Sequence, residues 1–198
     1  TFSFHETKNI QCGEGGMLAI NDDRFLERAE IMWEKGTNRA QFFRGEINKY
    51  GWVDIGSSFL PSELNAAFLY AQLENLEDIQ NRRKAIWHWY DKHVEELWGS
   101  DYKFSKPLIP NYATNNGHMY YLVFQDPDER TRFITDMKRK NIHPVFHYLS
   151  LHKSEFYNNK HDGGALPNSD RYTECLVRLP LYYDLNTDTL TDMIIQNK

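Results

Sequence analysis

Apolar and polar positions change period several times along the 198 residues, and each change marks an element. Phe2, Ser3 and Phe4 alternate with the period of two that a strand imposes, and Met17 to Ile20 form a second apolar run. Between them stand Thr7-Lys8-Asn9 and Gly13-Glu14-Gly15-Gly16, which places Lys8 on a tight connection between two short strands. The three glycines remove every Cβ from a stretch where another backbone or a flat cofactor can approach closely.

A helical period follows. Asp22 or Asp23 caps a helix with Phe25, Ala29, Met32 and Trp33 on its apolar face, and Gly36 ends it. Residues 37–51 mix Arg39, Arg44, Lys49, Phe42, Phe43 and Tyr50 without a clear period, as a long loop does. Ser62, just after Pro61, opens the longest periodic stretch: Ala66, Leu69, Leu73, Leu76, Ile79, Arg83, Ile86, Tyr90, Val94 and Leu97 recur at threes and fours. This is one long helix or two joined by a kink, closed by Gly99, with Pro107 and Pro110 in the irregular connection beyond.

The remainder predicts a small α+β unit. Strands are expected at Tyr120 to Phe124 and Ile142 to Phe146, with a helix over Asp128 to Lys140 between them, buried through Phe133, Ile134 and Met137. Val177 to Leu181 is a third apolar run that Pro180 interrupts, which argues for an edge strand or a strand end. Leu190, Met193 and Ile194 mark a last amphipathic segment.

Composition narrows the function classes. A net charge of −5, with basic residues scattered among acids, gives no general attraction to nucleic acid or to an anionic membrane. Cys12 and Cys175 lie far apart and show no metal-ligand spacing, which fits a reducing compartment; with no apolar span or leader pattern, the cytoplasm is expected. Aromatic residues make up 15% of the chain, enough that some are expected at an interface. No metal is expected: His143, His147 and His152 lack the helical spacing and adjacent carboxylate of a zinc motif, and His88 and His93 face different sides of their helix. Arg39 and Arg44, among aromatic rings, are either part of a solvated surface loop or placed to hold an anionic substrate such as a nucleotide sugar.

Ser3-Phe4-His5-Glu6-Thr7-Lys8-Asn9 followed by Gly13-Glu14-Gly15-Gly16-Met17-Leu18 resembles the pyridoxal-phosphate lysine segment of the DegT/DnrJ/EryC1/StrS sugar aminotransferases. Glu34-Lys35-Gly36-Thr37-Asn38-Arg39, Asp54 to Leu60, Leu64-Asn65-Ala66-Ala67, Phe146 to His152 and Arg178-Leu179-Pro180-Leu181 continue the likeness in order to near the end of the chain. Within the family, the Lys35–Arg39 and Gly56–Leu60 segments are most similar to the transaminases that make dTDP-4-amino-4,6-dideoxygalactose for enterobacterial surface polysaccharides, of the common-antigen or O-antigen type.

The resemblance implies an α/β fold, the C-terminal part of a fold-type I aminotransferase. Residues 1–60 would belong to the large cofactor-binding domain, 61–98 to a long connecting helix and 99–198 to a small C-terminal α+β domain. It implies pyridoxal 5'-phosphate held as a Schiff base on Lys8, with glutamate as donor and the C4 of a dTDP-4-keto-6-deoxy sugar as acceptor. Free lysine is protonated at neutral pH, so such a site must favour the neutral amine through burial or neighbouring positive charge. Ser3 would place a hydroxyl on the cofactor phosphate, its alternative being a solvent-facing strand serine. Ser58 stands where the commoner pattern has an asparagine that reaches the cofactor across a homodimer, and a serine brings one donor hydrogen in place of two. His147, Tyr148 and His152 would lie near the substrate or else pack at a strand end. A segment of comparable length precedes the lysine in the family and supplies the main phosphate loop, the stacked ring and the aspartate on the pyridine nitrogen. The chain is therefore expected to be the C-terminal part of an enzyme, inactive by itself. A histidine in place of Lys8 would mark a related dehydratase.

Overall fold

The first strands form as expected, though shorter: Phe2–Ser3 (β1) pairs antiparallel with Gly16–Met17 (β2), Phe2 opposite Met17 and Ser3 opposite Gly16. The computed structural model describes residues 1–195, and in it the chain divides into two units, Thr1–Leu76 and Glu77–Lys198.

In the first unit Asp22 is the cap. Its carboxylate accepts from the Arg24 amide over a 3-10 turn that leads into Leu26–Trp33 (α1). The helix stops at Trp33, and Gly36, with φ of +79°, donates its amide to the Ile31 carbonyl at 2.8 Å and turns the chain away. The predicted apolar face finds no cover within the unit, where Phe25 and Trp33 are exposed. Residues 37–51 are not wholly loop, because Arg39–Phe43 (α2) forms a short helix that the mixed composition obscured. The long periodic stretch is two helices. Glu63–Glu74 (α3) begins under the Ser62 hydroxyl, which accepts the Asn65 amide at 3.2 Å, and ends at Asn75, where the backbone leaves helical geometry before Leu76–Trp98 (α4) begins.

The second unit contains nearly all of α4 and the chain beyond it. Phe104–Ser105 (β3), Tyr120–Phe124 (β4), Val145–Phe146 (β5) and Leu176–Leu179 (β6) form an antiparallel sheet in the order β3-β4-β6-β5. Pro127–Arg139 (α5) is capped by Asp126, whose side chain accepts the Glu129 amide at 2.8 Å. Pro167–Cys175 (α6) and Thr187–Ile195 (α7) complete the unit. The Ile142 strand is cut to two residues, since Asn141 adopts a positive φ and Pro144 removes a donor. β6 is an inner strand between β4 and β5, so Pro180 marks a strand end and not an edge.

The core belongs to the second unit. Ile86, Tyr90, Val94, Leu97 and Trp98 of α4 meet Tyr120, Leu122 and Phe124 of β4, Phe133 and Met137 of α5, Val177 and Leu179 of β6, and Leu190 and Ile194 of α7. Two polar tips in this core are satisfied, since the Tyr90 hydroxyl donates to the Pro180 carbonyl at 2.8 Å and the Trp87 indole to the Met119 carbonyl at 3.1 Å, while the buried Trp98 indole nitrogen finds no acceptor among the described residues. Strand alternation places Tyr121, Val123, Leu176 and Arg178 on the other face of the sheet, where Val123, Leu176 and Cys175 form a smaller cluster. Among the described residues of the first unit only Ile10, Cys12, Gly36 and Thr37 are buried. That unit is held chiefly by backbone hydrogen bonds.

Candidate active site

Lys8 sits at the tip of the β1–β2 connection, and each arm of that connection is bonded to the other. The Phe4 amide donates to Gly15 and the Glu6 amide to Gly13, both at 2.8 Å, and the Cys12 amide donates to Phe4 at 2.9 Å. Buried Ile10 and Cys12 anchor the return. His5 organises the tip: its carbonyl accepts the Lys8 amide at 2.9 Å and its Nδ1 accepts the Thr7 amide at 3.2 Å, while Nε2 lies 3.5 Å from a Glu14 carboxylate oxygen. A Cβ on Gly15 would come within 2.5 Å of the Cys12 sulfur, so a bare residue is needed there. Gly13 needs its glycine for another reason, a φ of +78°.

The Lys8 side chain is exposed, and among the described residues it enters no ion pair. Ser3 lies on β1 opposite Gly16, with Oγ 3.4 Å from the His5 amide that donates to it. Lys8 and Ser3 thus share one small hydrogen-bonded substructure. Beside it Phe4, Cys12, Gly15, Leu69, Tyr70 and Leu73 line a shallow apolar groove of about 180 Å³, and the Asn65 side chain of α3 donates to the Glu14 carbonyl at 3.1 Å.

Ser58 belongs to a second substructure, in which residues 51–59 are laced to the end of α1. Lys35 donates to Ser57 at 3.0 Å, Ser57 to Met32 at 3.1 Å, Val53 to Gly36 at 2.8 Å and Phe59 to Trp33 at 3.2 Å, while Glu34 and Ser58 form an isolated bridge. Gly36 and Gly56 touch backbone to backbone, since a Cβ on Gly56 would lie 2.2 Å from the Gly36 nitrogen. Ser58 is exposed at the rim of this lacing. Arg39 reaches toward Glu34 at 3.6 Å and lies 4.8 Å from the Phe43 ring centroid, a cation over an aromatic face. Arg44 bonds Glu30 and Glu46, each at 2.7 Å, and the hydrogen bond with Glu46, foremost, pushes its pKa up further. A diphosphate at Arg44 would have to displace both carboxylates.

In the second unit His147 and Tyr148 follow β5, their rings 5.0 Å apart. Burial, and then the nearby Arg178 guanidinium, hold the His147 imidazole below its usual pKa. His152 belongs elsewhere in the unit. Its Nε2 lies 3.0 Å from Asp170 Oδ1, and Lys153 reaches the other oxygen at 2.8 Å, so the two side chains tie the 3-10 turn Leu151–Lys153 to α6. Two participants escaped the sequence reading of the site: Arg178, a lone charge inside the apolar run Leu176-Val177-Arg178-Leu179, and His5, whose His-x-Thr spacing allows the ring to cap the second amide ahead. No group of three or more histidine, cysteine or acidic side chains among the described residues is arranged to hold a metal ion.

Residues 1–196 match the family described as the DegT/DnrJ/EryC1/StrS aminotransferase family. The chain belongs to this family. The spore coat polysaccharide biosynthesis protein SpsC of Bacillus subtilis is 27% identical over 98% of this chain and 51% of its own length. Helicobacter pylori PseC, an aminotransferase involved in the biosynthesis of pseudoaminic acid, superposes with a TM-score of 0.80 at 19% identity, over 98% of this chain and 50% of PseC. Spr1654 of Streptococcus pneumoniae, solved in its PLP form, gives a TM-score of 0.76 at 21% identity, over 99% of this chain and 49% of that one. The chain therefore carries part of the α/β fold of the PLP-dependent sugar aminotransferases, and it spans about half the length of the curated relatives it matches.

Proposed function

We propose that the protein bearing this chain is a PLP-dependent aminotransferase that moves an amino group from glutamate to C4 of a dTDP-4-keto-6-deoxy sugar for surface-polysaccharide synthesis. The observation that carries this reading is Lys8, an exposed amine outside any ion pair of the described residues, at the tip of a turn whose return arm is bare at Gly13, Gly15 and Gly16. The amine, the Ser3 hydroxyl and the three glycines lie on one hydrogen-bonded hairpin, and Gly13 at its return has open space beside it, which supports a cofactor held at this tip.

Lys8 Nζ would hold pyridoxal phosphate covalently, and the hydroxyls of Ser3 and, from the other subunit of a homodimer, Ser58 would donate to its phosphate. When bound, the cofactor supplies the conjugated ring that takes up the electrons left behind as the donor loses its α-proton. The neutral Lys8 amine accepts that proton. Arg39 and Arg44 would face the sugar nucleotide, with His147, Tyr148 and His152 as further substrate neighbours. The choice of nucleotide and sugar rests on the Lys35–Arg39 and Gly56–Leu60 segments alone. No described helix is long and apolar enough to cross a membrane. The proposed chemistry acts on a water-borne nucleotide sugar in the cytoplasm.

A second reading concerns these 198 residues in isolation. Trp52 and Leu64, each 83% exposed, and Ile55 at 70% leave the first unit with large apolar side chains that it does not itself cover. On that observation the isolated chain is inactive. The discriminating experiment incubates the intact protein with glutamate and dTDP-4-keto-6-deoxyglucose and follows the aminated sugar nucleotide by mass. Transfer is expected with the dTDP sugar and not with a free sugar. Equal rates on a UDP-linked ketosugar would overturn the nucleotide assignment, and no transfer to any nucleotide sugar would overturn the substrate class.

A further inference from the structure

Asn116-Gly117 is the one Asn-Gly pair in the sequence, and it stands in the connection that leads into β4. Such a pair is chemically labile, because a glycine carries no Cβ to keep its amide nitrogen away from the preceding asparagine side chain. In this fold the pair is held apart. Gly117 is buried against α4 with φ of +61°, and a Cβ on it would come within 2.9 Å of the Arg83 carbonyl carbon and of the Lys84 nitrogen. Arg83 clamps it there, with Nε donating to the Gly117 carbonyl at 3.1 Å and Nη2 to the His118 carbonyl at 2.7 Å. The Gly117 amide donates to Asn115 Oδ1 at 2.9 Å, and Asn116 Oδ1 accepts the His118 amide at 3.1 Å. The nitrogen and the side-chain carbonyl that would have to meet are thus both engaged elsewhere. Asn115 holds the amide at a cost, since its own Nδ2 is buried without an acceptor among the described residues.

We propose that Asn116 is a masked deamidation site, closed while Arg83 and Asn115 hold Gly117 and reactive once a local opening releases it. On release the Gly117 amide loses its proton and its nitrogen attacks Asn116 Cγ. A C–N bond forms, the side-chain nitrogen leaves as ammonia, and a five-membered cyclic imide remains. Solvent water opens the imide at either carbonyl, giving aspartate or isoaspartate with no change of oxidation state. The fold treats these products differently. Aspartate keeps an oxygen for the His118 amide and stands at an exposed position, so the loop can close again. Isoaspartate adds a methylene to the main chain just before Gly117, where the backbone of α4 leaves no room, so Arg83 cannot regain both carbonyls. The reaction therefore makes a transient opening permanent, next to the fully buried Tyr120 at the start of β4.

The test ages intact protein in mildly alkaline buffer and follows the peptide that holds residue 116 by mass and by isoaspartate content. Folded protein should deamidate at Asn116 at least tenfold more slowly than the same chain unfolded in urea. Asn115→Ala frees the Gly117 amide without touching α4 and should raise the native rate at least threefold; Arg83→Met should raise it at least tenfold. Should Arg83→Met unfold the unit, as a lost near-ultraviolet circular-dichroism spectrum would show, Asn115→Ala decides alone. Asn116→Asp should keep amide exchange along β4 within about threefold of the wild type, whereas the purified isoaspartate form should exchange at least tenfold faster. A native rate equal to the rate in urea, an unchanged rate in Asn115→Ala, or β4 protection that survives in the isoaspartate form would overturn the proposal.

Discussion

Replacing Gly56 with alanine tests whether the lacing that carries Ser58 depends on backbone contact. The new Cβ would lie 2.2 Å from the Gly36 nitrogen and 2.7 Å from the Met32 carbonyl oxygen, against 3.4 Å or more for ordinary contact, so the two segments must part by about 1.2 Å. Backbone on both sides leaves no side chain to swing aside. Overpacking of this kind costs about 1–3 kcal/mol. Parting also strains the bonds from Lys35 to Ser57 and from Ser57 to Met32, each worth roughly 1 kcal/mol, for a total of about 3–5 kcal/mol. At about 1.4 kcal/mol per tenfold, the Lys35 and Ser57 amides should exchange with solvent roughly two to three and a half orders of magnitude faster, until they reach the unprotected rate. Gly51→Ala is the control: nothing lies within 4 Å of its Cβ, so exchange should stay within about threefold. Protection that persists at Ser57 in Gly56→Ala, or an equal loss in Gly51→Ala, would refute the reasoning.

Phe133 is fully buried against Trp98, Tyr102 and Phe124, with ring centroids 4.9–5.3 Å away, so Phe133→Ala should lower stability to urea by about 3–5 kcal/mol; a loss below 1 kcal/mol would contradict the packing. The hydrogen bond from Lys153, foremost, holds the Asp170 carboxyl below the usual aspartate value of about 4. Its stabilising contribution is therefore complete above that unfolded value and is lost as pH falls through the lower folded one. A carbon-13 titration of Asp170 should show a midpoint below 4 that moves up in Lys153→Met, and a wild-type midpoint at or above 4 would contradict the pairing.

Legibility in the sequence followed how local the cause was. Ser62 announces its helix because a cap needs only the residues next to it, and β4, α5 and α7 carry their period in their own side chains. Asn75 hides the break between α3 and α4, since asparagine is ordinary in a helix and the apolar period runs through it. The first unit was the least legible. Its helix α1 has the amphipathic pattern of a buried helix, yet the partner that would cover Phe25 and Trp33 is not in that unit. At the candidate site the glycines around Lys8 drew attention to its turn, while the role of Lys8 and the choice of Ser3 came from the resemblance to the family. Arg178 drew none, because its meaning lies in cross-strand neighbours and in hydrogen bonds left unmade, which one strand's sequence does not display.

Lys8 is the residue on which the proposed aminotransferase chemistry stands. Intact protein loaded with pyridoxal phosphate is reduced with borohydride, digested and mapped by mass. The phosphopyridoxyl group should appear on the peptide containing Thr7-Lys8-Asn9 and disappear in Lys8→Ala, whose folded circular-dichroism spectrum should be unchanged because an exposed side chain contributes little packing. A stoichiometric label on any other lysine, or labelling that survives in Lys8→Ala, would contradict it.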